Sequence, residues 1–230
     1  MTASEMSSFF AEQAHKSADI LDAPKVRDTP YLVELNMRWA AQSHMMSAMI
    51  DWRHEIADPR PKLHLAFATC VAASERLPAL DSSTPLPSRF RFYDVVFLGK
   101  LIHHEVPATC LSLLQNCRES ADVDLALDYA LAGSLIGIDL LGSTIESAVF
   151  EKRQDLLRKT YSTYVDLLHG NFEAIQVAEA NFAARKKNSY YSGGLHIDGG
   201  GLDNSNTVDY RLAAMIETLG FETNSVHKLS

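Results

Sequence analysis

The sequence predicts an all-α fold: a single-domain antiparallel bundle of about eight or nine helices, with a glycine-rich loop before the last one. Three observations predict it. Apolar residues recur at helical spacing through most of the 230 residues. Prolines and small polar clusters interrupt that pattern at short intervals. There is no alternating apolar–polar stretch of useful length and no internal repeat.

The elements follow in order. A first helix is expected from about Ser4 to Leu21, with Phe9, Phe10, Ala14, Ala18 and Leu21 on one face and Pro24 at its end. Asp28 and Thr29 offer an N-cap for a long second helix, Pro30 to about Ala57, with Pro30 in its first turn. Its buried stripe reads Leu32, Leu35, Trp39, Met46, Met49 and Ile50. Met45, Met46 and Met49 read as core packing, because methionine fills irregular gaps. Asp58, Pro59 and Pro61 restart the chain into a third helix reaching about Leu77.

Pro78 to Pro87 reads as a surface loop, and Ser88 as the cap of a fourth helix running to Glu105. Pro107 opens a fifth to about Arg118, and Asp122 starts another through Tyr129 and Leu135. Gly133, Gly137 and Gly142 interrupt or kink that region. Ile145 to His169 is helical, with Gly170 as C-cap, and Phe172 to Lys187 follows. Residues 188–206 carry five glycines and no helical period. Asn206 with Asp209 resembles a capping box for a last helix carrying Val208, Leu212, Met215, Ile216 and Leu219, which Gly220 closes.

A chain of this length buries about 70% of its unfolded surface and needs no disulfide or metal to fold. The apolar fraction of 47% is ordinary for a globular protein, so disorder is not expected. No apolar run approaches the roughly 18 residues of a membrane span. Met1 to Phe10 lacks basic residues ahead of a short apolar patch, unlike a secretory leader. Cys70, Cys110 and Cys117 sit in apolar helical contexts and read as buried, reduced thiols of a cytoplasmic protein. The formal net charge of −8 argues against nucleic acid or an anionic membrane and for a basic protein partner.

Few motifs carry chemistry, and none implies a cofactor. There is no Gly-x-Ser-x-Gly elbow, P-loop or His-Glu-x-x-His. His103, His104 and Glu105 invite a metal reading, and a metal-dependent all-α enzyme built on His103 or His104 is one alternative. Consecutive histidines diverge by about 100° on a helix, however, and the Val106–Pro107 step marks a helix end where histidine suits the dipole. Glu12 to His15 is the one Glu-x-x-His spacing, and a dinuclear bundle site needs two. Residues 203–209 alternate oxygen ligands but lack the glycine and terminal Glu of a calcium loop. A helical scaffold or regulatory protein is the other alternative.

Two features point to binding. From Glu119 to Glu151 the chain carries Glu119, Asp122, Asp124, Asp128, Asp139, Glu146 and Glu151, with no Lys or Arg between them. A one-signed surface steers an oppositely charged partner. Arg153, Arg158 and Lys159 supply the balancing charge if the interval is only a solvated face. The second feature is the glycine-rich segment, with Tyr190, Tyr191, His196 and Asp198 as its recognition candidates. Leu195, Ile197 and Leu202 imply that it packs on the body as an ordered loop, and Arg211 is placed to reach back to Asp198 or Asp203.

Tyr191, Gly193, Gly194, Gly199 to Gly201, Asn204 and the run Val208-Asp209-Tyr210-Arg211-Leu212-Ala213-Ala214 carry a resemblance over the last fifth of the chain. There the sequence resembles helical immunity proteins of bacterial polymorphic-toxin and type VI secretion systems. The resemblance implies a cytoplasmic antidote that binds a cognate toxin and occludes its active site. An acidic surface suits a basic toxin such as a nuclease. A homodimer is compatible with this reading.

Overall fold

Ten α-helices are laid down by the described parts of the chain. The computed structural model describes residues 1–77, 92–120, 123–138, 156–184 and 207–229. The helices are α1 (Ala3–Asp19), α2 (Pro24–Arg27), α3 (Pro30–His54), α4 (Arg60–Arg76), α5 (Tyr93–Leu101), α6 (Ala108–Ser120), α7 (Val123–Leu135), α8 (Leu156–Leu168), α9 (Ala174–Ala183) and α10 (Tyr210–Leu219). No strand occurs among the described residues, so the fold is all-α. No helix there is long and apolar enough to cross a membrane. The expected loop at 78–87, the Ser88 cap and the glycine-rich segment at 188–206 lie outside the described residues.

Local signals account for most of the helix starts. Thr2 and Glu5 form a full capping box for α1: the Thr2 hydroxyl accepts from the Glu5 amide at 3.2 Å, and the Glu5 carboxylate from the Thr2 amide at 2.6 Å. Pro24 does not simply end α1; it opens the one-turn helix α2. Thr29 sits at the N-cap of α3, but its hydroxyl donates backwards to the Lys25 carbonyl at 2.8 Å. The last helix starts later than the capping-box reading places it. Asp209 is its N-cap, accepting from the Arg211 amide at 3.1 Å and the Leu212 amide at 3.4 Å.

Among the described residues, five helices finish with the same closure. A residue in the left-handed region follows the helix, and the next amide donates to the carbonyl five positions back. The amide–carbonyl pairs are Ile56–Asp51 at 3.0 Å, His104–Gly99 at 2.8 Å, Ile138–Gly133 at 2.9 Å, Asn171–Asp166 at 3.0 Å and Phe221–Ile216 at 3.2 Å. Glycine takes the left-handed position in three of them, Gly137, Gly170 and Gly220. Glu55 (φ 51°) and His103 (φ 55°) take it in the other two, where a Cβ costs strain. Gly99, inside α5, answers a different need. A Cβ there would lie 2.9 Å from the His104 carbonyl oxygen and 3.2 Å from the Phe67 ring.

α3 is the axis of the N-terminal half and packs against both α1 and α4. Burial by two neighbours explains why its stripe is misread from periodicity. Val33, Met37, Ala40 and Ala41 are buried in its first half, whereas Leu32, Leu35 and Trp39 are only half-buried. From Ser43 to Asp51 every residue is buried, including Met45, Met46 and Met49. Met6 and Phe10 of α1 pack on Met46 and Ile50, while Ala18 is exposed. The main core runs from α3 and α4 through α5, α6 and α7 to α8, α9 and α10, with Tyr93, Phe97, Tyr129 and Tyr164 fully buried. Cys70 and Cys110 are free, buried thiols, and burial pushes the Cys70 thiol well up.

One buried polar cluster ties α1, α3 and α4. The Lys62 ammonium donates to Ser7 Oγ at 3.0 Å, to Ser47 Oγ at 2.7 Å and to Asp51 Oδ2. Ser7 Oγ donates to Asp51 Oδ1 at 2.5 Å, and Ser47 Oγ to the Ser7 carbonyl at 2.8 Å. All three ammonium protons and both hydroxyl protons are thereby used. Asp51 is 1% exposed, so removing its cation strands a buried carboxylate. Lys62→Met is expected to lower the unfolding free energy in urea by about 3 kcal/mol or more, and Asp51→Leu in the same chain to restore much of it. Glu55→Gly is expected to raise stability by about 0.5 kcal/mol by relieving the left-handed strain, read as a higher urea midpoint.

Candidate partner-binding surface

The polar side chains of the Val208–Ala214 run point inward. Val208, Asp209, Tyr210 and Arg211 are each 2% exposed or less. The Tyr210 hydroxyl donates to Asp94 Oδ1 of α5 at 2.6 Å. Arg211 pairs with Asp128 of α7 and lies 3.6 Å from Asp209 Oδ1, its guanidinium 5.2 Å from the centre of the Tyr164 ring. The Tyr164 hydroxyl donates to Asp209 Oδ2. α10 is therefore held to α5, α7 and α8 by charge-assisted contacts inside the core.

The same cluster fixes the tail after α10. The Asp209 amide donates to His227 Nδ1 at 2.9 Å, and the His227 ring meets Phe182 of α9 edge-to-face at 5.7 Å. An accepting Nδ1 places the proton of the neutral ring on Nε2. Burial, assisted by Arg53 and opposed by Glu179, lowers the His227 pKa to about 4. The Ser225 hydroxyl donates to Glu179 of α9 and accepts from the His227 amide at 3.0 Å.

Between α9 and residues 222–225 lies an open groove of about 940 Å³. Phe172 and Val177 line it and are 56% and 53% exposed. Glu173, Glu179 and Glu222 also line it, and among the described lining residues there is no Lys or Arg. Lys228 pairs with Glu222 from outside at 3.2 Å. Sequence reading does not find this groove. Phe172 reads only as the start of a helix, and the groove arises when His227 and Ser225 hold the tail against α9.

The acidic interval divides. Asp128 is 6% exposed and paired with Arg211, so it is interior rather than part of a surface. The expected reach of Arg211 toward Asp198 or Asp203 falls on residues outside the described ones. Glu119 stands in α6 and Asp124 in α7, while Asp122, Asp139, Glu146 and the segment with Tyr190, Tyr191, His196 and Asp198 lie outside the described residues.

His103 and His104 diverge. His103 is exposed, with Nε2 3.3 Å from Glu217 Oε1 of α10. His104 packs on His64, ring centres 4.9 Å apart, and on Phe67 at 5.5 Å. Glu12 pairs with Lys16 at 2.6 Å, and His15 meets His44 edge-to-face at 5.6 Å. Among the described residues, no three metal-binding side chains converge. Asp209, the last acid of the alternating 203–209 run, is a helix cap.

Two histidines stay neutral in the folded chain well below their usual pKa. His44 is lowered to about 4 by burial and by the nearby His15 and Lys62 charges, alongside His227. The unfolded chain takes up protons at both sites as pH falls below about 6.5, and the folded chain does so only near the lowered values. Stability is therefore present above about pH 6.5 and is lost as pH falls toward 4, by up to about 3 kcal/mol for each histidine. Urea unfolding at pH 7 and pH 4.5 is expected to show this fall. His227→Asn, which keeps an acceptor facing the Asp209 amide, is expected to remove about half of it. In comparisons with known proteins, no protein-family model, curated protein or solved structure matches the chain.

Proposed function

We propose that the chain is an immunity protein: a cytoplasmic antidote that binds a cognate bacterial toxin and occludes its active site. The observation that carries this reading is the interval from Glu119 to Glu151, which holds seven acids and no Lys or Arg. Removing Asp128 to the core leaves six, still of one sign. A surface of one sign accelerates association with a basic protein and suits a toxin that itself grips nucleic acid.

The resemblance over the last fifth of the chain supports the same reading, and the burial of Val208–Arg211 gives those four residues a scaffold role. An inhibitor needs a rigid body with a complementary face, and a body pinned by buried ion pairs supplies the rigidity.

The test is co-expression with the product of the adjacent gene. The expected outcome is growth inhibition by that product alone, relief by this chain, and a complex that survives purification. A harmless neighbour that never binds would overturn the reading. Within a complex, Asp122→Lys with Asp124→Lys is expected to slow association and flatten its salt dependence. Asp128→Lys is expected instead to unfold the chain, because it opposes Arg211.

A further inference from the structure

We infer that the groove between α9 and residues 222–225 receives a basic, apolar-anchored segment of the toxin, such as one face of an amphipathic helix. The inference rests on the immunity reading for the identity of the partner. The groove itself supplies the chemistry. Phe172 and Val177 line the groove, are 56% and 53% exposed, and stand one and two positions from Glu173 and Glu179. Large apolar side chains gathered beside a concave surface mark a docking site more often than scattered ones do. Glu173, Glu179 and Glu222 line it, and Lys228 pairs with Glu222 at 3.2 Å from outside the groove, so the described lining keeps a net negative charge that favours an occupant bringing its own cations.

The walls are also preset. Ser225 is bonded to Glu179, and His227 is seated on Asp209 and Phe182, so the tail side of the groove is anchored to the core cluster. An occupant meets a surface that is already ordered and loses less entropy on binding. Amphipathic helices enter such grooves through apolar positions three and four apart, with Lys and Arg left at the acidic rim.

The probe is a synthetic Lys/Leu helical peptide of about 14 residues, with a Glu/Leu peptide of equal length as control. It is titrated into the full-length ¹⁵N-labelled protein. Saturable amide shifts confined to residues 172–179 and 222–225 are expected, with none from the Glu/Leu peptide. Val177→Ser and the pair Glu173→Lys, Glu222→Lys are each expected to weaken binding about tenfold. Glu12→Lys, which changes the net charge on exposed α1, is expected to leave binding intact. Shifts spread over the whole acidic surface, equal binding by the Glu/Leu peptide, or self-association of the chain through these residues would overturn the inference. In the toxin assay, wild-type neutralisation that is indifferent to the groove substitutions overturns the groove and leaves the immunity function standing. Absence of any neutralisation, with peptide shifts still confined to the groove, removes the toxin and keeps the preference for a basic segment.

Discussion

The C-terminal half of this protein depends on one carboxylate. Asp209 caps α10 with Oδ1, accepts the Tyr164 hydroxyl of α8 on Oδ2, and through its own amide holds His227. Arg211, two residues on, carries the connection to Asp128 on α7. Four parts of the chain thus meet within one helical turn. The site is buried, so each contact is stronger than it would be in water, and each lost partner is correspondingly costly. A charge pair in this position specifies which helix lies where, which an apolar contact of the same area does less sharply. The N-terminal half has its own version in Lys62 and Asp51.

Function is distributed differently from what charge alone implies. Acids on this chain do two jobs. Asp51, Asp94, Asp128 and Asp209 are at most 6% exposed and organise the interior. Glu173 and Glu222 stand outside, beside apolar groups that water does not reward. The negative balance of the sequence therefore overstates the surface field, and what remains outside gains meaning from its apolar neighbours.

The helical class, the punctuation and the glycine stops at Gly170 and Gly220 were legible, because each rests on local backbone rules. Helix faces were less so. Leu32, Leu35 and Trp39 follow the right period, but α3 packs against both α1 and α4, and burial there does not follow a single stripe. Asp128 was read as surface because sign says nothing of depth, and its partner Arg211 stands 83 residues away. The Lys62 cluster joins residues up to 55 positions apart, and only the four-residue spacing of Ser47 and Asp51 hints at it. The groove was invisible for the same reason: its two walls come from separate stretches of chain.

The five helix closures have a consequence for how such a chain can diverge. Each is completed by backbone groups within six consecutive residues, so a helix stops without instruction from the link that follows it. Lengthening a link costs little in closure entropy, roughly 0.6 kcal/mol per doubling. Drift and insertion can then accumulate between helices while the bundle persists. A lineage built this way retains its architecture and its internal ion pairs long after its connecting segments have ceased to resemble those of its kin.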